Sequence, residues 1–187
     1  MNIDKIKATP MDKVLVLDTE TTGFDKNAEI LQFSAIWGTG QLAINWYIKP
    51  VRHTSWPSAM EVNHITPDMV ARCAPMTALR PQINALLSKA RVIVGYNLPF
   101  DLRMLEQNGI TLPGTTQTEY VDLMIPFAKV YGVWNDTYQN YKWQKLITCA
   151  KYYGYQGDGW HDSLADTKAT LHCYIEMLCR GHLDNTQ

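Results

Sequence analysis

Short aliphatic runs alternate along this chain with segments whose apolar residues recur at helical spacing. Val14 to Leu17 is a continuous apolar run of the kind that forms a strand buried on both faces, and Thr21, Thr22 and Gly23 supply a turn after it. Ile30 to Trp37 and Gln41 to Ile48 read as two further strands, joined through Gly38, Thr39 and Gly40 as a hairpin. Pro50 to Pro57 reads as a loop. Thr66-Pro67-Asp68 then has the make-up of a helix start, with Thr as N-cap and Pro in the first helical position, and predicts a short helix to about Arg72. Leu79, Ile83, Leu86 and Leu87 keep helical spacing ahead of the β-branched run Arg91 to Gly95, which is the crossover pattern of a parallel strand pair.

Pro99 opens a helix carrying Leu102 and Leu105 and closing near Asn108-Gly109, and Tyr120 to Leu123 is the last strand. Residues 132 to 141 are the least regular stretch. Beyond them, Leu146, Ala150 and Tyr153 mark one helix, and Leu164, Leu171, Ile175 and Leu178 a second, ending near Gly181, with frayed residues after it. The order predicts an α/β fold in which a mixed five-stranded sheet, an antiparallel meander of three strands plus two parallel ones, is flanked by helices.

Composition changes this picture little. The 187 residues, 46% of them hydrophobic, suit one domain with a core from about residue 13 to 180 and flexible termini. The N-terminus lacks the apolar stretch of a signal peptide and no run approaches the roughly 20 apolar residues of a membrane span, so a soluble, cytoplasmic protein is expected. Cys73, Cys149, Cys173 and Cys179 form no CxxC pair, which predicts reduced, mostly buried thiols and no zinc site. A net charge of −1 does not suggest a protein that coats long duplex electrostatically, and any nucleic-acid footprint should be small.

The chemistry lies in three places. In LDTETTG, Asp18 and Glu20 alternate on a strand, so both carboxylates face one side, near enough to share a divalent ion. Alone, they also read as turn-capping acids. Asp101, in GYNLPFD, follows a strand end and so falls on the same sheet edge as Asp18, although an Asp in a helix first turn is favoured by the helix dipole anyway. In HDSLADT, His161 and Asp166 would lie roughly 140° apart on one continuous helix, at ~3.6 residues per turn. They can share a site only if His161 belongs to the preceding loop, with its Gly154, Gly157 and Gly159, and Asp162 or Ser163 is the N-cap. The competing readings are a Ser163–Asp166 capping box and a surface histidine beside Trp160.

Together and in this order, Asp18-Thr19-Glu20, Asn97 to Asp101 and His161 to Asp166 resemble the DxE, Asp and HxxxxD motifs of the DEDDh (DnaQ-like) 3′→5′ exonucleases, over about residues 13 to 180, with the exonuclease X group the nearest in flavour. The resemblance implies a ribonuclease H-like fold and hydrolysis of DNA from its 3′ end to nucleoside 5′-monophosphates. It further implies two Mg²⁺ ions, replaceable by Mn²⁺, on Asp18, Glu20, Asp101 and Asp166, with His161 as general base. An imidazole titrates near neutrality, as that role requires. Thr21, Thr22, Gly23, Phe24 and Asn97 are expected beside the terminal nucleotide.

Ser163 stands where family members often carry Ala. The stretch Val62-Asn63-His64-Ile65-Thr66 resembles the family's V-H-G-I-T, with Asn63 at its His and His64 at its Gly, which makes both candidate substrate contacts. The Tyr/Trp-rich segment 131 to 143 offers base stacking or ordinary packing, and Lys142, Lys145 and Lys151 a phosphate track or a solvated helix face. A 3′ exoribonuclease uses the same metal site, and a non-catalytic end-binding module would have lost an acid or the His, whereas all five are present. A polymerase proofreading subunit would need a docking extension after the last helix. A homodimer is compatible with the sequence without being indicated by it.

Overall fold

The computed structural model of the chain describes residues 2–184. In chain order the elements are α1 (Ile3–Ala8), β1 (Val14–Thr21), β2 (Ile30–Trp37), β3 (Leu42–Tyr47), α2 (Pro57–Asn63), α3 (Pro67–Val70), α4 (Met76–Leu87), β4 (Val92–Gly95) and α5 (Leu98–Gln107). They are followed by β5 (Glu119–Asp122), α6 (Met124–Tyr131), β6 (Trp134–Asn135), β7 (Asn140–Tyr141), α7 (Leu146–Tyr152) and α8 (Ser163–Cys179). Five strands form one sheet in the order β3-β2-β1-β4-β5. The β1–β2 and β2–β3 pairs are antiparallel, and the β1–β4 and β4–β5 pairs parallel, which is the mixed sheet expected.

Both sheet faces are covered. Strand alternation sends Val14 and Val16 of β1, with Val92 and Val94 of β4, toward Phe127, Cys149, Ala169, Cys173 and Tyr174, the layer of α6, α7 and α8. Leu15, Leu17 and Ile93 face Ile83 and Leu87 of α4 and Met104 and Leu105 of α5. Each such fully buried side chain stabilises the fold by about 1.5–3 kcal/mol. Local signals close the elements: Thr66 Oγ1 accepts the Met69 N–H at 3.4 Å to cap α3. Gly109, at φ +83°, turns the chain after α5.

The structure departs from the sequence reading in several places. β1 runs on through Thr21, so Asp18 and Glu20 lie inside the ladder, opposite Ser34 and Gln32, and not at a strand end. α2 begins at Pro57, the last residue of the expected loop, in a stretch the pattern leaves unassigned, and is too short for its periodicity to show. α6 carries Pro126 in its first turn, where the missing N–H costs no helical bond. α3 stops at Val70. The irregular stretch 132 to 141 contains the ribbon β6–β7.

Neither end behaves as a loose terminus throughout. α1 buries Ile6 against the α8 layer, and Leu183, within the stretch expected to fray, is also buried, whereas residues 185 to 187 of that stretch lie outside the described residues. Cys149 and Cys173 are buried, Cys73 is half-buried and Cys179 exposed, so fewer thiols are inside than expected. Among the described residues no helix is long and apolar enough to cross a membrane.

Candidate active site

β1 pairs with β4 only as far as Val16↔Val94, because β4 ends at Gly95. From Leu17 onward, the edge of β1 that faces β4 has no strand beside it. α5, entered through Asn97 at φ +61°, brings Asp101 into that gap. Asp101 Oδ1 accepts the Thr19 N–H at 3.0 Å and the Thr19 hydroxyl at 2.7 Å, so this buried carboxylate completes the ladder that β4 leaves unfinished.

On the other sheet face, Asp18 and Glu20 continue the line of Val14 and Val16 under the N-terminus of α8. One carboxylate oxygen from each of Asp18, Glu20 and Asp166 lies within 4.8 Å of the others. The helix that delivers Asp166 is pinned by polar residues of β2 and β3. Gln32 Nε2 donates to Asp162 Oδ2 at 2.9 Å, and Gln32 Oε1 accepts the Ser163 N–H at 3.2 Å. Ser34 Oγ donates to Asn45 Oδ1 at 3.0 Å, which makes Ser163 Oγ the donor in its 2.6 Å contact with Ser34 Oγ. Asp162 is the N-cap, its Oδ1 accepting the N–H groups of Leu164 and Ala165 at 3.1 Å each. Ser163 is therefore not the cap of a capping box. Its hydroxyl is spent on the sheet, and Asp166 is left facing Asp18.

His161 precedes the cap at φ +68°, in the loop as the spacing required, and its backbone N–H donates to Asp166 Oδ2 at 3.3 Å. Its residue surface is exposed.

Gathering four acids here is costly. Burial, then repulsion from Asp101, Glu20 and Asp166, holds the Asp18 carboxyl well above the usual range. Burial and Asp166 push Glu20 up to about 8, against a hydrogen bond from Asn63 that favours its charged form. Burial lifts Asp101 to about 7 in spite of its bonds from Thr19, and Asp166 to about 6 in spite of the His161 N–H. Asp18 Oδ2 and Asp166 Oδ1 are buried with no hydrogen-bond partner. Buried, unpartnered carboxylate oxygens converging on one point are the donor set of a hard divalent cation, and the residues present fit one.

The remaining candidates divide. Asn63 is buried, its Nδ2 on the Thr21 carbonyl at 3.2 Å and its Oδ1 accepting the Ile65 N–H at 3.1 Å, so it braces Glu20 and the β1 end. His64 is exposed at φ +58° as the left-handed C-cap of α2, the position where the resemblance aligns a Gly. Both have structural tasks. The Thr22 N–H is taken by the Glu29 carbonyl at 2.9 Å and the Thr21 hydroxyl by the Gly23 carbonyl at 2.7 Å. A Cβ at Gly23 would meet nothing within 4 Å, which leaves open space above that backbone. Phe24 is 79% exposed, its ring tilted against that of Phe100 at 5.7 Å between centroids, and Arg103 holds its carbonyl at 3.1 Å. Asn97 is exposed, with its N–H on Asp122 Oδ1 at 2.8 Å. Sequence reasoning passed over Gln32, Ser34 and Asn45, although the alternating polar pair in ILQFSAIW was visible.

A mixed five-stranded sheet with these acids gathered on and beside its central strand has the ribonuclease H-like fold. The RNase T family model, described as an exonuclease, matches residues 15–174, and the chain belongs to that family. It is 27% identical over 178 residues to the uncharacterized exonuclease CP81 of Escherichia phage 186, covering 91% of this chain and 90% of that protein. Among solved structures it is similar to Escherichia coli exonuclease I with a dA16 oligonucleotide, with a TM-score of 0.71 at 22% identity and coverage of 91% of this chain but 42% of that one. It is also similar to exonuclease X in complex with 5′-overhanging duplex DNA, with a TM-score of 0.65 at 21% identity and 90% and 93% of the two chains covered. The chain thus spans about two fifths of the exonuclease I chains and nearly the whole of exonuclease X.

Proposed function

We infer that this chain is a 3′→5′ exonuclease that hydrolyses the terminal phosphodiester of DNA and releases nucleoside 5′-monophosphates, using two Mg²⁺ ions, or Mn²⁺ in their place, and His161 as general base. The observation that carries the reading is the convergence of Asp18, Glu20 and Asp166 within 4.8 Å, with two buried oxygens left unpartnered. Asp18, Glu20, Asp166 and Asp101 would hold the cations, whose chemistry is to neutralise charge on the phosphate and its leaving oxygen and to acidify a water.

The protein's own groups do the rest. The His161 ring accepts a proton from the attacking water, whose oxygen bonds to phosphorus while the bond from phosphorus to the 3′-oxygen of the penultimate nucleotide breaks. Its loop keeps the ring in solvent, where an incoming water can be met, while its N–H stays on Asp166. The open backbone at Gly23, the exposed ring of Phe24 backed by the half-buried Phe100, and Asn97 receive the terminal nucleotide. DNA as the substrate is supported by the oligonucleotides on exonuclease I and exonuclease X.

The test is a time course on single strands labelled at the 3′ or the 5′ end, with Mg²⁺, with EDTA, and with Asp18→Ala. Mononucleotide released first from the 3′ label, and lost with chelator or substitution, is the expected result. Release first from the 5′ label would overturn the polarity, and undiminished cleavage in EDTA the metal requirement. Matched RNA strands in the same assay decide between DNA and RNA.

A further inference from the structure

The carboxylate site gives no role to the ribbon β6–β7. Its strands are two residues each, and a ribbon this small has no core of its own. Even so, it carries large side chains in solvent: Trp134 is 48% exposed, Tyr138 74% and Trp143, just after the ribbon, 60%. Apolar surface concentrated in this way marks a contact face.

Contacts within the ribbon nonetheless hold its two strands together. Trp134 meets Tyr141 edge-on at 5.2 Å, and the Lys142 N–H extends the ladder to the Val133 carbonyl at 2.7 Å. Asn135 Oδ1 accepts the N–H groups of Thr137 and Tyr138 at 3.1 and 3.3 Å, which shapes the tip. Trp143 lines two clefts of about 430 Å³ each, one shared with Tyr138 and Lys142, the other with Ile125, Lys129 and Trp134. Each has room for a flat aromatic ring system.

Position and charge indicate what covers this face. The ribbon leaves α6 at Gly132 and returns at Gln144, whose carbonyl accepts the Tyr96 hydroxyl at 2.9 Å. Tyr96 directly follows β4 and precedes the helix bearing Asp101, so the ribbon is rooted at the sheet edge that holds the acids. Lys142 lines the first cleft beside Tyr138 and Trp143, and Lys145 follows at the end of the ribbon, two ammonium groups against the single acid of this stretch, Asp136. Flat aromatic faces interleaved with ammonium groups, with no arginine fork to read base edges, match unpaired bases and their phosphates. A duplex hides those base faces.

We propose that Trp134, Tyr138 and Trp143 form a stacking platform for the unpaired bases of single-stranded DNA upstream of the 3′ end that the carboxylates receive. The proposal rests on the nuclease reading above for its choice of ligand.

The experiment is fluorescence anisotropy with fluorescein-labelled oligothymidylates of about 3 to about 20 nucleotides, a range that spans the reach of single-strand platforms. The full chain is used in EDTA, so that no strand is cut. Wild-type affinity should rise with length. Tyr138→Ala/Trp143→Ala should weaken the longest strand about 10- to 100-fold and flatten the length dependence, and Trp143→Phe, which keeps an aromatic face, should retain most of the affinity. Thermal midpoints identify any variant that fails to fold, and the exposed tip substitution Tyr138→Ala alone is the fallback, with a smaller loss expected.

An unchanged length dependence in the double variant overturns the platform. So does a wild-type dimer, seen in sedimentation, that the double variant dissolves while oligonucleotide affinity stays the same, since the face would then bind a second copy. Failure of the nuclease reading shows separately, as wild-type protein that binds the strand but releases no mononucleotide when Mg²⁺ is restored.

Discussion

Asp101 and Thr19 are joined twice, the carboxylate Oδ1 accepting both the N–H and the hydroxyl of Thr19 at 3.0 and 2.7 Å. The pair links α5 to the strand that carries Asp18 and Glu20, and it resists the rise in the Asp101 pKa that burial imposes. Thr19→Val keeps the shape and removes the hydroxyl donor. The Asp101 pKa should then climb above about 7, so that divalent-cation affinity is lost most on the acidic side and recovers in alkali. Calorimetric titration of Mn²⁺ across pH would show this. A pH-independent loss would mean that the hydroxyl acts only by packing. The unfolding free energy should fall by about 1.5–3 kcal/mol, the worth of a hydrogen bond to a charged group.

Without a cation the protein should be most stable in mild acid. Glu20, Asp101 and Asp166 keep their protons up to about 8, 7 and 6 when folded, whereas unfolded carboxylates release theirs near pH 4. Between these limits the folded state binds more protons, so stability falls as pH rises until the highest of these values is passed. Glu29 is shifted the other way, its carboxyl held low by the Val51, Arg52 and His53 N–H groups and the His53 ring, and it matters only below the unfolded carboxylate range. In EDTA the melting temperature should therefore drop between about pH 5 and about pH 8.5, by on the order of 10 °C or more. Saturating Mg²⁺ should remove most of that drop, since cations replace the protons. A flat or rising profile in EDTA would contradict the clustering of acids.

Much of this was legible in the residues because the signals were local or periodic. The aliphatic runs around Val16 and Val94 marked the central strands, and the conflict between the spacing of His161 and Asp166 and a single helix placed His161 in the loop, where it lies. Less legible were features set by tertiary pairing. That β1 continues through Glu20 depends on its ladder with β2, and that Asn63 braces Glu20 depends on α2 folding under the β1 end. Thr21, Thr22 and Gly23 read as a turn beside the terminal nucleotide, yet the Glu29 carbonyl across the loop takes the Thr22 N–H. The N-terminal helix is only six residues long and buries one of them, Ile6, too few turns for a period to show in the sequence.

His161 meets Asp166 through its main chain, so its ring can be replaced without touching that bond. Asn tolerates the left-handed backbone that φ +68° imposes, which makes His161→Asn the fair substitution. Turnover should fall about 100- to 10,000-fold, the usual worth of a positioned general base. Melting temperature and Mn²⁺ affinity should stay near wild type, because an exposed ring supports neither. A parallel loss of metal affinity would assign His161 to cation binding, and unchanged turnover would exclude it as the base.

Gln32 tests whether α8 is placed by the sheet or merely rests on it. Its amide donates to Asp162 and Asn45 at 2.9 and 3.1 Å and accepts the Ser163 N–H at 3.2 Å, all in a buried position. Gln32→Met is close in volume and leaves that N–H without its partner, a loss of about 1–3 kcal/mol. Packing alone would stop there. If the amide also sets where Asp166 stands relative to Asp18, Mn²⁺ affinity should drop as well, by about tenfold, the lower end of what lost support behind metal ligands costs. Gln32→Glu separates the effects further: it still accepts from Ser163 but sets a second charge against Asp162, so it should bind the cation worse than Gln32→Met. Urea unfolding alongside metal titration of both variants reads the two quantities independently, and lowered stability with intact affinity would reduce the network to a structural brace.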